Sequence, residues 1–341
     1  MLRLTLLAVL AVLALPAAGL AGVGETSIFY YPWYGTPAYD GLYQHWAQDG
    51  HRPPTDVAAT FYPLRGAYSS SDDRVVRAQM HEIAAAGVRE VVSSWWGWGS
   101  PEDKRLPLVL STAKAAHLAV AVQIEPYEKW LRTPDLLAAD LAHLRELGIT
   151  RAYVFRPFDP LIDDASWQML NRQAGIQMLA QTANVERAAA DGFAGVYTYD
   201  TVRYGPGTFA RLCSKAHAAG LLCAPSVGPG YDATAATSDT RVRLRRKGAT
   251  YDALWSAATA ADADRVTITS YNEWHEGTQI EPARASAPDR LTISAVPSYS
   301  TYDGAWGLHG RKSERAYLLR TAYWTRVFAT LSTARRLLAS L

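Results

Sequence analysis

Two rhythms of apolar and polar positions alternate along this chain. Short runs rich in β-branched and aromatic residues stand at 26-TSIFYYPWYG-35, 88-VREVVSSWWG-97, 119-AVAVQIEPY-127, 151-RAYVFRPFD-159, 175-GIQMLAQT-182, 192-GFAGVYTYD-200, 221-LLCAPSVG-228 and 265-RVTITSYNEW-274. Each has the length and composition of a buried strand. Between them the apolar spacing lengthens to that of a helix, as in 73-DRVVRAQMHEIAAAG-87, 134-PDLLAADLAHLRELG-148 and 206-PGTFARLCSKAHAAG-220, and finally in 313-SERAYLLRTAYWTRVFATL-331. Several of these end on the Gly expected just past a helix C-terminus. Strand and helix alternate to the end without a low-complexity linker. The pattern predicts one α/β domain, a single (β/α)8 TIM barrel with extended loops at its C-terminal face, rather than an open doubly wound sheet. Its weakest elements are the short helix near 184 and the helix near 252.

In such a barrel the reactive groups come from the C-terminal ends of several strands. Here those ends carry Tyr30, Tyr31 and Trp33, then Trp95 and Trp96, Glu125 and Tyr127, Arg156 and Asp159, Tyr199 and Asp200, and Glu273 with Glu276. The last pair lies in 267-TITSYNEWHEGTQIEPA-283, which sets Glu273, His275 and Glu276 within four positions beside Trp274, a residue expected to be exposed. Carboxylates converging with aromatic rings are what glycoside hydrolysis needs: one carboxyl group protonates the leaving oxygen, another assists attack, and rings hold the sugars.

Other chemistries fit less well. The segment 32-PWYGTPAYDG-41 lacks the glycine spacing of a dinucleotide loop, so no nicotinamide or flavin cofactor is expected. A metal is not expected either, because Glu273, His275, Glu276 and the more distant Glu281 have no second His nearby and do not follow a zinc or di-iron spacing. His275 fits a partner for a backbone carbonyl or a carboxylate better than direct chemistry. Gly-x-Ser-x-Gly is absent, and 226-SVGPG-230 reads as a loop whose backbone lies close to a ligand. The basic run 241-RVRLRRKG-248 reads as a solvated face or helix end in preference to an anion site.

Composition adds limits. With 341 residues, 49% apolar, 19% charged and a net charge of +2, the chain is neither a disordered polyelectrolyte nor an evident nucleic-acid binder. Eleven Trp and nineteen Tyr suit either sugar faces or a large core. The first residues, 1-MLRLTLLAVLAVLALPAAGLAG-22, read as a secretory signal that leaves residues 23–341 as the catalytic domain, secreted to the periplasm or exterior. An N-terminal membrane anchor is the alternative, although the apolar run from Leu4 to Leu15 is shorter than the roughly 20 residues a span needs. No membrane span is expected after cleavage. Export would permit a Cys213–Cys223 disulfide, yet one Cys falls in a helical pattern and the other in the next strand, so two buried thiols are the preferred reading.

Taken together, 268-ITSYNEWHEGTQIEP-282, 225-PSVGPGYD-232, 123-QIEPY-127, 93-SSWWG-97 and 30-YYPWYG-35 resemble glycoside hydrolase family 99, in the same order along the chain. The resemblance implies a metal-independent endo-acting α-mannosidase on a (β/α)8 barrel. Its substrate would be an α-mannose-containing oligosaccharide or polysaccharide, mannan or N-glycan in type, cleaved at internal α-1,2 bonds with retention. It implies that Glu276 is the general acid. Glu273 would be a base that removes the proton of the sugar's own 2-hydroxyl, so that a 1,2-anhydro sugar forms. Trp96 matches the aromatic wall of the pocket beyond the cleaved residue, where Trp implies mannose rather than glucose. Glu125 and Tyr231 match positions that bond sugar hydroxyls, and Tyr31, Trp33, His45 and Trp46 match the barrel mouth. With Trp95, Tyr127, Tyr199, Trp274 and His275 they make up the expected substrate-binding set. The resemblance thins after Pro282, including 301-TYDGAWGLHG-310. A catalytically silent carbohydrate-binding barrel, or a related glycosidase acting on another α-linked glycan, is the alternative.

Overall fold

The computed structural model describes residues 24–127, 131–286 and 299–340. The expected signal and its boundary lie outside the described residues. The strands are β1 (Glu25–Tyr30), β2 (Glu90–Trp95), β3 (Ala119–Ile124), β4 (Arg151–Val154), β5 (Gln177–Gln181), β6 (Gly195–Tyr197), β7 (Leu222–Ala224), β8 (Ser226–Val227), β9 (Tyr231–Asp232), β10 (Val242–Arg243) and β11 (Arg265–Ile268). The helices are α1 (Pro37–Asp40), α2 (Asp73–Ala85), α3 (Pro101–Ala115), α4 (Pro134–Glu146), α5 (Asp164–Gln173), α6 (Val185–Ala190), α7 (Pro206–Ala218), α8 (Ala249–Ala260) and α9 (Ala316–Ala339). Among the described residues, no helix is long and apolar enough to cross a membrane.

Neighbours in the main sheet run β7-β6-β5-β4-β3-β2-β1-β11-β8, all parallel. Only Pro225 separates β7 from β8. Lacking an N–H, Pro225 interrupts the ladder, yet its carbonyl still accepts from Thr267 N at 3.1 Å. The two pieces are therefore one strand, which pairs with β6 below the proline and with β11 above it. The ring closes with eight strand positions as the (β/α)8 barrel, and α2 to α9 follow them in turn. Local chemistry starts the helices: Asp72, Ser100, Thr133, Asp163 and Asn184 each cap the first turn of α2 to α6.

Strand periodicity then sorts the side chains into layers. On β1, Ile28 and Tyr30 face the helical shell, while Ser27 and Phe29 face the barrel axis, and Tyr31 continues their row. Phe29, Val92, Ala121, Leu179 and Tyr197 belong to the inner cluster that plugs the barrel. Below it lie Ser27, Glu90, Tyr153 and Arg265, which are joined by hydrogen bonds. Above it the same rows end in Tyr31, Ser94, Glu125 and Tyr199.

One sequence expectation is corrected here. Cys213 and Cys223 form a disulfide, with their Cα atoms 5.1 Å apart, because α7 packs directly against β7. The glycines of 226–230 are closely packed: a Cβ on Gly228 would lie 2.7 Å from Thr201 and from the Thr269 carbonyl, and one on Gly230 would lie 2.7 Å from the Arg243 carbonyl.

Candidate active site

Beyond β11 the chain makes a turn from Thr269 to Glu281 over the C-terminal mouth of the barrel. Its geometry is fixed by its own polar side chains. Ser270 Oγ accepts from Glu273 N at 2.8 Å and pairs with Thr278 Oγ1 at 3.0 Å. Asn272 ties the turn to the end of β1, accepting from Tyr31 N at 2.8 Å and donating to Tyr31 O at 3.0 Å. Glu273 then folds back on the turn. One of its oxygens accepts from His275 N at 3.2 Å and the other from Glu276 N at 3.1 Å.

Glu276 points into a cavity of about 340 Å³ that it shares with Tyr199, Asp200, Tyr231, Arg241 and Gln181. Its Oε2 accepts from the Tyr199 hydroxyl at 3.2 Å, and Tyr199 is itself hydrogen-bonded to the Tyr31 hydroxyl. Burial pushes the Glu276 carboxyl up to about 7, helped by the Asp200 charge and opposed by the Tyr199 hydrogen bond and by Arg241. Burial also raises Glu273 well above the usual carboxylate range, and the charge of Glu276 adds to the rise, while the two peptide N–H groups work against it. Each carboxyl opposes ionisation of the other. The two peptide donors favour the ionised form of Glu273, in opposition to its burial.

A third carboxyl, Glu125, stands nearby. Glu125 Oε1 accepts from Ser94 Oγ and Gln123 Nε2, each at 2.8 Å, and burial pushes the group up to about 7 against those bonds. The rim is aromatic. Trp33 stacks on His45 with ring centroids 4.6 Å apart and an 8° tilt, and His275 stacks on His45 at 5.5 Å. His275 Nε2 donates to the His45 carbonyl at 2.8 Å, and burial lowers His275 to about 4 and His45 to about 3, so both imidazoles are neutral near pH 7.

The expected residues therefore fall into two groups. Glu273, Glu276, Glu125, Tyr31, Trp33, His45, Tyr199, Tyr231 and His275 surround the mouth, and Trp96 at the end of β2 is only half-buried. Three others are enclosed by protein. Trp95 is fully enclosed because the row that turns Ser94 inward turns Trp95 outward, where its Nε1 donates to Asp103 at 2.9 Å. Trp46 is enclosed against Tyr34, 4.0 Å between centroids, and donates to Tyr68 O at 2.7 Å. Trp274 is enclosed rather than exposed, and donates to Glu281 at 2.9 Å. Tyr127 is 9% exposed and its hydroxyl is bonded to Asp140 on α4.

Arg241 lines the cavity although its basic run reads as a solvated face. Asp200 at 3.1 Å and Asp239 at 2.7 Å hold its guanidinium, which lies 5.5 Å from the Tyr231 ring centroid. The period-two spacing of Arg241, Arg243 and Arg245 was the available signal, since it marks a strand face.

Comparison with known proteins agrees with this geometry. The profile of Glycosyl hydrolase family 99 matches residues 24–148 and 174–330. A Glycoprotein endo-alpha-1,2-mannosidase of Xenopus laevis is 31% identical over 315 residues, which cover 76% of this chain and 70% of the relative. A Glycoprotein endo-alpha-1,2-mannosidase-like protein of Homo sapiens is 28% identical over 365 residues, covering 89% and 79%. The solved GH99 endo-alpha-mannosidase from Bacteroides thetaiotaomicron superposes with a TM-score of 0.77 at 27% identity, over 90% of this chain and 98% of that one.

Proposed function

Because this chain belongs to glycosyl hydrolase family 99 and is a glycoside hydrolase, we propose that it is an endo-acting α-mannosidase that cleaves internal α-1,2-mannosidic bonds with retention of configuration. The observation that carries the reading is the division of labour within one turn. Glu273 is locked by two peptide N–H groups, which favour its carboxylate form against the burial that raises it. Glu276 faces the cavity, with its proton held by burial.

A base and an acid three residues apart serve neighbouring atoms of one sugar. Glu273 removes the proton of the 2-hydroxyl, whose oxygen closes on the anomeric carbon as the glycosidic bond breaks. Glu276 gives its proton to the departing oxygen. Water then opens the 1,2-anhydro ring at the anomeric carbon, as Glu276 takes the water's proton and Glu273 returns its own to O2. Two inversions at one carbon give net retention. The neutral Trp33, His45 and His275 stack offers apolar faces to sugar rings, and Trp96 walls the pocket beyond the cleaved residue with a preference for mannose.

The protein is proposed to be exported, with residues 1–22 as a signal. The Cys213–Cys223 disulfide supports this, since such bonds persist in oxidising compartments. A proton NMR time course with Man-α-1,3-Man-α-1,2-Man tests the function. Wild type is expected to release an α-configured disaccharide, whereas Glu273→Gln and Glu276→Gln release none. Binding of the saccharide without cleavage by wild type would replace the enzyme with a binding protein or a different linkage.

A further inference from the structure

Two stretches stay outside the proposed mechanism: the basic run 241–248 and the segment around 301–310, where the family resemblance thins. The structure joins them behind the catalytic turn. Arg245 follows β10, which pairs antiparallel with β9 in the insertion between the seventh barrel strand and α8. Its Nη2 donates to the Gly277 carbonyl at 2.9 Å and to the Gln279 carbonyl at 2.7 Å. These are the first and third residues after Glu276.

Three rings surround the same guanidinium, with centroids at 4.5 Å for Phe61, 4.9 Å for Tyr302 and 4.7 Å for Tyr317. Tyr302 does more than stack: its hydroxyl is within hydrogen-bonding distance of the Gln279 carbonyl at 3.2 Å and the Glu281 carbonyl at 2.9 Å. Among the described residues no carboxylate pairs with Arg245, and its guanidinium is held by carbonyls of the turn and by the side chains of Phe61, Tyr302 and Tyr317. The insertion grips the turn again at Asp232, whose N–H donates to the Glu276 carbonyl at 2.8 Å. Gly277, with φ of +61°, permits that approach, since a Cβ there would lie 2.8 Å from the Asp232 carbonyl.

We propose that Arg245, caged by Phe61, Tyr302 and Tyr317, is a positioning residue that fixes Glu276 over the cavity through the carbonyls of Gly277 and Gln279. The inference rests on the proposed role of Glu276 as the acid. A flat, rigid fork suits this task. It donates to two carbonyls from one nitrogen while its planar body is held between rings, which an ammonium cannot reproduce. Small displacements of a general acid are costly, of order 10²-fold in rate for about 1 Å.

The test compares wild type with Arg245→Met, which fills the cage with an apolar chain of similar length, and Arg245→Ala, which empties it. The substrate is Man-α-1,3-Man-α-1,2-Man. In Arg245→Met, kcat is expected to fall by about 10²-fold with KM unchanged, and amide exchange across 276–280 is expected to quicken. In Arg245→Ala, millimolar guanidinium is expected to restore part of kcat, which sets a positioning role apart from a loss of folded protein. A kcat close to wild type in Arg245→Met, or a loss that only tracks the unfolded fraction, overturns the proposal. If wild type itself leaves the mannoside intact, the proposed function fails instead. Exchange then still decides the clamp, because unchanged protection of 276–280 in Arg245→Met refutes it.

Discussion

The two ends of the barrel hold buried glutamates in opposite circumstances. At the lower end Glu90 lies between two cations: Arg265 Nη1 is 3.1 Å from one oxygen, and Arg151 pairs with the other. Ser27 at 2.8 Å and Tyr153 at 3.0 Å donate to it as well. At the upper end Glu276 faces a cavity and Glu273 folds back on the turn beside it, and among the described residues neither has an Arg or Lys within ion-pair distance. Residue type is alike, and Glu90 and Glu273 are equally buried, with Glu276 more open to the cavity. What differs is compensation. The lower end pairs its carboxylate with cations, whereas the upper end gives its carboxyls hydrogen-bond donors but no Arg or Lys, which suits the acid and base roles proposed for them.

Glutamine substitution at each end is the sharpest way to break this contrast. Glu276→Gln or Glu273→Gln is expected to lower cleavage by about 10²–10⁴-fold, with thermal stability kept or raised because a group whose ionisation burial penalises becomes a neutral amide. Glu90→Gln is expected to do the reverse. It takes the carboxylate from Arg151, leaves Arg265 with Glu25 at 3.0 Å, and costs about 3–5 kcal/mol of stability, read by denaturant unfolding, while the folded fraction keeps its kcat. Equal effects of the two substitutions on rate and stability would dissolve the distinction.

A site on the barrel wall serves as a reference for both ends. Opening the Cys213–Cys223 disulfide, which closes a short loop with a sequence separation of 10, is expected to cost about 2–3 kcal/mol. Activity of the folded protein should not change, because the bond lies on the α7 side of the wall, away from the mouth.

The smallest effects concern pH. Glu276 titrates near 7 when folded, against 4.5 as an ordinary carboxyl. Between those values the unfolded chain has lost the proton that the folded protein keeps. The contribution of Glu276 to stability is thus complete below about 4.5 and falls away as pH rises through about 7. Glu276→Gln is expected to flatten that decline in a pH series of thermal melts. Cleavage should fall over the same upper range, as the acid loses its proton.

Much of this was legible from local pattern. Eight strand runs and the helices between them gave the barrel, and strand periodicity alone could have turned Trp95 outward once Ser94 was placed inward. The Glu273–Glu276 motif was visible too, because both carboxyls lie on one short turn. Enclosure was not visible. Trp46 and Trp274 carry the same aromatic signal as Trp33, and only packing against Tyr34, Tyr68 and Glu281 separates support from rim. The disulfide was missed for a related reason: Cα separation between a helix and the next strand depends on how α7 docks.

By itself the sequence determined the barrel, the order of its strands, the family and the paired glutamates. Each of these is written in residues close together in the chain. Tertiary structure alone decided that Glu276 faces a cavity on Tyr199, that Arg241 reaches that cavity, and that Arg245 is caged behind the turn by Phe61, Tyr302 and Tyr317. These contacts join residues far apart in the chain. The desolvation and hydrogen bonding that set reactivity arise only when distant loops close over the same end of the barrel.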